Sequence, residues 1–183
     1  ILQTNHDNIF NTIEILIELK QRYNFLIWED RKLADIGEIM YKQINNHIIK
    51  WADIVSVHPI AGFDSLNSLK TLDISLILIG ELSSKGALTD LSYQENLLSQ
   101  LDDILTIDNI IGIVCQHKML PNNNLLHIVP GISILDNIKT DNKGQQYRGI
   151  NSPELNFADI LVIGRAITAS QNPKEKIKKI LQI

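Results

Sequence analysis

The run NFLIWEDRKLADIG, residues 24–37, begins apolar and ends in closely spaced charges. The residues after it, EIMYKQINNHIIK (38–50), return to apolar positions at helical spacing. Residues 24–30 read as a buried strand, and Gly37–Lys50 as an amphipathic helix carrying Met40, Ile44 and Ile48 on one face. A strand that passes directly into a helix is half of a βα unit, and the same alternation recurs outward from this stretch. Further strands are expected at ADIVSVHP (52–59), SLILIGELS (75–83), IIGIVCQH (110–117), LLHIVPG (125–131) and DILVIGR (159–165). They are rich in Ile, Leu and Val on both faces, as in parallel sheets covered by helices.

Asn8–Arg22 reads as an amphipathic helix, with Ile9, Phe10, Ile13, Leu16 and Ile17 as its apolar stripe. The closing helix begins at Pro173, a favourable first helical residue, and places Ile177, Ile180 and Leu181 on one side. These strands predict a TIM (β/α)8 barrel or an open parallel sheet. A complete barrel takes about 250 residues, so the pattern predicts a barrel lacking its first strand and most of its second, with a remnant at Ile1–Thr4. No linker divides the 183 residues, so a single domain over 1–183 is expected. The segment from Ile132 to about Phe157, rich in polar and turn-forming residues, is too long for a routine connection and reads as a functional loop.

Composition excludes several function classes. With 44% hydrophobic and 21% charged residues the chain can bury a core, and its net charge of −4 offers no footprint for nucleic acid. The basic cluster KEKIKK (174–179) reads as a solvated helix face. Cys115 is the only cysteine, so no internal disulfide can form; it reads as a small buried hydrophobe, and a cytoplasmic setting is expected. No apolar run approaches the roughly 18 residues that span a membrane. The five histidines show no paired ligand spacing, so no metal site is expected.

Chemistry gathers at two places. Asp30 and Lys32 stand two residues apart at a strand end, so in extended chain they face the same way, with Asp35 just beyond. Ionised groups beyond a strand's C-terminal end suit a site that stabilises a developing charge. Against this, Asp35 and Glu38 have capping-box spacing, and Asp30–Lys32 could be an ordinary surface pair. At the second place, Gly164 and Arg165 end the last strand before a short helix, a geometry that can clamp phosphate, and Gln145 and Tyr147 offer amide and phenol donors.

Taken together, these motifs resemble a known family. FLIWEDRKLADIG resembles the FxDxKxxDIG signature of eukaryotic-type orotidine 5′-monophosphate decarboxylases, also found as the C-terminal domain of UMP synthases. GELSSKGAL (80–88), VPGI (129–132), GQQYR (144–148) and VIGR (162–165) are similar to further motifs of that family in the same order. The resemblance implies a cofactor-free barrel that converts orotidine 5′-monophosphate to UMP in pyrimidine biosynthesis. It implies that Asp30 lies beside the departing carboxylate, that Lys32 protonates C6, and that Asp35 reaches the neighbouring site of a homodimer. Ser83 would contact the pyrimidine edge, Gln145, Tyr147 and Arg165 would hold base and phosphate, and Pro130 and Gly131 would shape the turn before the closing loop.

Two positions depart from the family pattern. Gln3 aligns with a Lys that completes an alternating Lys-Asp-Lys-Asp array, with Asn5 at the family's His, and Ile39 falls where the family has a sugar-contacting Thr. These departures support an alternative, a catalytically impaired homologue that binds a pyrimidine nucleotide without turnover. A further alternative is a metal-dependent phosphosugar enzyme that reuses the D-x-K-x-x-D strand, against which GQQYR and the serine motif argue.

Overall fold

The computed structural model describes residues 6–121, 125–134 and 144–182. The strand remnant expected at Ile1–Thr4, with Gln3 and Asn5, lies outside them. In chain order the elements are α1 (His6–Tyr23), β1 (Trp28–Leu33), α2 (Gly37–Asn46), β2 (Ile54–Val57), α3 (Phe63–Asn67), β3 (Ser75–Ile79) and α4 (Leu91–Ser99). There follow α5 (Leu101–Ile104), β4 (Ile110–Val114), β5 (Leu126–Pro130), β6 (Ile132–Ser133), β7 (Arg148–Gly149), β8 (Ile160–Val162), α6 (Arg165–Thr168) and α7 (Pro173–Ile180). The chain forms two compact units, Ile1–Ile79 with Gln100–Ile111, and Gly80–Ser99 with Gly112–Ile183.

In the first unit β1, β2 and β3 form parallel ladders, with Ile54–Val57 of β2 opposite Ser75–Leu78 of β3. The first strand starts at Trp28, later than expected, because Asn24 closes α1. Asn24 adopts φ 53° and its N–H donates to the Lys20 carbonyl at 2.8 Å, a left-handed helix stop. The helix expected over 37–50 ends at Asn46 and continues as a 3-10 turn over Ile48–Lys50. Asn45 and Asn46 are poor helix interior residues, which fits that break. The spacing of Met40, Ile44 and Ile48 nonetheless serves as expected, since all three are buried, as are Val55, Val57, Leu66 and Leu76 of the same unit. On the exposed side, Glu38 and Lys42 form an i,i+4 ion pair at 2.8 Å.

A carboxylate fixes the register at the foot of β2. The Ile27 N–H donates to Asp53 Oδ2 at 2.8 Å, and the Lys20 ammonium is paired with Oδ1. Burial alone would raise the Asp53 carboxyl, but the Ile27 N–H and the Lys20 ammonium outweigh it and hold it below its ordinary value of 3.8. A carboxyl depressed by folding contributes stability that is present above the unfolded value and lost as pH falls through the folded one. Asp53→Asn should therefore lower the urea midpoint at neutral pH, and the gap to wild type should close as the pH drops below 3.8. A gap unchanged in acid would show that the charge is not its source.

In the second unit β4, β5 and β8 are parallel, pairing Gly112–Val114 with Leu126–Ile128 and Ile128–Pro130 with Ile160–Val162. Here the device of Asp53 is repeated: Asp159 follows an alanine at the foot of β8, and its Oδ2 accepts the His127 N–H at 2.7 Å. The long segment from Ile132 is not wholly irregular, since β6 and β7 pair in parallel through Ile132↔Arg148 and Ser133↔Gly149. Ile132, Val129 and Leu155 form a buried cluster, with Ile150, Phe157, Leu161 and Ile163 packed on it. Cys115 is fully buried, and burial, then the Glu81 carboxylate, push its thiol up to about 12, so it serves as a packing residue. Among the described residues no helix is long and apolar enough to cross a membrane.

Candidate active site

In the first unit the expected Asp30–Lys32 pair forms. The Lys32 ammonium is bonded to Asp30 Oδ2, and the other carboxylate oxygen, Oδ1, accepts the Ser56 hydroxyl at 2.7 Å. The backbone between them is not a regular strand. Glu29 pairs with Val55 and Leu33 with Val57, so Asp30, Arg31 and Lys32 stand opposite the single residue Ser56. This bulge is completed by Lys32 at φ 55°, a left-handed conformation that costs an unbranched residue about 1–2 kcal/mol. The pair is partly wet, with side-chain exposures of 33% for Lys32 and 41% for Asp30, so its own contribution to stability is at most about 1 kcal/mol. Backbone strain of similar size is spent to present a charge pair, which is the pattern of a functional site.

His58 lies two residues beyond Ser56, half-buried. Burial first, and the Lys32 ammonium second, push its imidazole below its ordinary value of 6.5, which favours the neutral ring beside Lys32. Asp35 sits outside the pair, exposed, with its Oδ1 accepting the neighbouring Ile36 N–H at 2.8 Å. The capping-box spacing of Asp35 and Glu38 is not used. The residue before α2 is Ile36, and no side chain caps the helix. Ser56 was not singled out from the sequence; its signal is a hydroxyl inside the apolar strand IVSV.

In the second unit the residues after β3 meet those before β7. The Gln145 side-chain amide donates to Ser83 Oγ at 2.8 Å and to the Gln146 carbonyl at 2.7 Å, and the Gln146 N–H donates to the Ser83 carbonyl at 3.1 Å. Pro130 ends β5, and Gly131 turns the chain with φ 79° while its carbonyl accepts the Arg148 N–H at 2.9 Å. A Cβ at position 131 would lie 2.5 Å from the Gln146 carbonyl oxygen and 2.7 Å from the Gln145 amide nitrogen. Gly131→Ala should thus cost about 3 kcal/mol through overpacking and left-handed strain, read as a fall in the urea midpoint. An unchanged midpoint would show that the turn relaxes freely.

Gly164 precedes α6, and Arg165, its first residue, is exposed with its guanidinium carbon 5.5 Å from the centre of the Tyr147 ring, a cation–π distance. A cleft of about 810 Å³ within this unit is lined by Ser83, Thr89, Gln116, His117, Tyr147 and Arg148 among others. Arg148, whose guanidinium bonds the Gln116 carbonyl, and the His117–Glu81 pair at 2.9 Å are further polar groups there. Arg148 stands in GQQYR but was not singled out as a site residue. The expected residues are therefore brought together as Asp30 with Lys32, Ser83 with Gln145, and Tyr147 with Arg165.

A family model described as orotidine 5'-phosphate decarboxylase / HUMPS family matches residues 1–180. The chain belongs to this decarboxylase / HUMPS family. It is 34% identical over 172 residues to a uridine 5'-monophosphate synthase of Caenorhabditis elegans, covering 87% of this chain and 34% of that protein. It is likewise 34% identical over 171 residues to the orotidine 5'-phosphate decarboxylase of Pachysolen tannophilus, covering 85% of this chain and 62% of that one. The chain thus spans about a third of the synthase and under two thirds of the Pachysolen tannophilus enzyme. Among solved structures, the orotidine 5'-monophosphate decarboxylase of Methanocaldococcus jannaschii, complexed with inhibitor BMP, matches with a TM-score of 0.65 and 29% identity. That match covers 93% of this chain and 78% of that one. The family fold is the TIM (β/α)8 barrel, and the parallel strand ladders and intervening helices are parts of it. Among the described residues, six strands lie in those ladders.

Proposed function

We propose that this chain carries the decarboxylase site that converts orotidine 5′-monophosphate to UMP. The observation that carries the reading is the Lys32 ammonium held against Asp30 on a strained bulge at a strand end, in a chain that belongs to the decarboxylase / HUMPS family. In the reaction the bond from C6 to the carboxylate breaks, its electron pair stays on C6, and CO2 departs. A fixed ammonium aimed at C6 stabilises that pair as it develops, then passes a proton to it, giving UMP. Water restores the proton to Lys32. The ammonium supplies both the charge and the proton, so the step calls for no cofactor.

Asp30 would stand beside the departing carboxylate, where like charge disfavours the substrate's ground state. Ser83 and Gln145 would read the pyrimidine, and Arg165, supported by Tyr147, would take the phosphate. Binding energy gained at the remote phosphate can hold the reacting carboxylate in place against Asp30. Asp35, exposed at the mouth of α2, would reach the site of a second subunit in a homodimer.

Nucleotide binding without turnover is the second reading, motivated by Ile39 of α2, which is partly exposed and cannot hydrogen-bond. Calorimetry with UMP, combined with release of labelled CO2 from carboxyl-labelled substrate by the full-length protein, separates the two. Binding with release supports decarboxylation, binding without release supports the second reading, and no binding removes both.

A further inference from the structure

We infer that Ser56 is a positioning residue for the Asp30–Lys32 pair, an inference that rests on the decarboxylase reading above. Ser56 is fully buried in the middle of β2, where its neighbours Val55 and Val57 are apolar. Its hydroxyl has one proton and two lone pairs, and both kinds of capacity are committed: the proton goes to Asp30 Oδ1 at 2.7 Å, and a lone pair accepts the Lys32 N–H at 3.1 Å. One side-chain atom therefore grips the carboxylate of one residue and the backbone of the other.

The bulge explains why such a grip is needed. With three residues of β1 opposite one of β2, the Lys32 N–H is bonded to a side chain where a regular ladder would offer a carbonyl, and the hydroxyl takes the carbonyl's place. The same bond secures Lys32 in its left-handed conformation, which sets where the side chain leaves the strand. On the other side, Asp30 is fixed at both oxygens, Oδ1 by Ser56 and Oδ2 by the ammonium. The carboxylate plane and the lysine stem are thereby set by one buried atom that need not touch substrate. A reaction that depends on aiming an ammonium at one carbon is sensitive to errors of about an ångström.

The test compares Ser56→Ala, Ser56→Cys and Ser56→Thr in the full-length protein. The cysteine keeps the volume and loses the strong hydrogen bonds, whereas the threonine keeps the hydroxyl. The expected result is a fall in kcat of about 10²-fold for alanine and cysteine, with UMP affinity changed by less than about threefold and most of kcat recovered with threonine. Cysteine with the wild-type kcat would overturn the inference, since packing alone would then suffice. Amide hydrogen exchange gives a readout independent of turnover. The Lys32 amide should exchange roughly tenfold faster in the cysteine variant, while the His58 amide, bonded to the Leu33 carbonyl at 2.7 Å, stays protected. Equal Lys32 exchange in both proteins overturns the anchoring role. A wild-type protein that shows the exchange pattern without turnover overturns the decarboxylase reading instead.

Discussion

Lys32→Ala should lower kcat for orotidine 5′-monophosphate by roughly 10⁴-fold or more while leaving UMP binding largely intact. Two separate contributions vanish with one side chain. A fixed charge aimed at a developing carbanion is typically worth about 10²–10³-fold, and a positioned proton donor about 10²–10⁴-fold, so their joint loss exceeds either alone. The ground-state complex loses less, because UMP carries no carbanion for the ammonium to stabilise. The variant should fold, since Lys32 is a third exposed, its ion pair with Asp30 contributes little to stability, and alanine tolerates the bulge no worse than lysine. A variant with kcat within about tenfold of wild type would remove Lys32 from the chemistry.

Arg165→Ala should cut kcat/KM by about 10³-fold, as two lost charge-assisted hydrogen bonds at about 1.5–3 kcal/mol each would do. Arg165 opens α6 at the end of β8, beside the Tyr147 ring, where its planar guanidinium can meet a phosphate in two-pronged fashion. On the proposed reading the deficit falls on kcat as well as KM, because binding energy gained at the phosphate would there help to orient the reacting carboxylate. Arg165→Lys should recover only part of it, since an ammonium keeps the charge but not the fork. Steady-state rates over a range of substrate concentration make the split. Wild-type kcat/KM would place the phosphate elsewhere.

How far these residues could be read from sequence depends on the range of the forces that place them. Among the described residues, five of the six parallel strands were legible because Ile, Leu and Val crowd them, a pattern that burial imposes locally; the first, Trp28–Leu33, carries only Leu33 and was legible from the apolar run Phe25–Ile27 just before it. Gln145 and Ser83 were each named, and their contact follows from two loops meeting. The spacing of Asp30 and Lys32 predicted that they face the same way, and they do meet, but through a bulge and a left-handed Lys32 that strand periodicity does not contain. At the bulge Ser56, on another strand, supplies the Lys32 N–H with an acceptor in place of a carbonyl; nothing within residues 24–37 encodes that. The capping box was a local signal that lost to the chain's path, since Asp35 spends its carboxylate on the Ile36 N–H. Arg148 stood inside a quoted motif but carries no pattern of its own. Its bond to the Gln116 carbonyl is a tertiary fact.

The most direct measurement is the fate of C6. Full-length protein incubated with orotidine 5′-monophosphate in D2O, followed by NMR, should yield UMP carrying a single deuterium at C6, with one CO2 released per UMP formed. Substrate recovered unchanged, by protein that binds UMP in the same buffer, would contradict the assignment of Asp30 and Lys32 to a decarboxylation site.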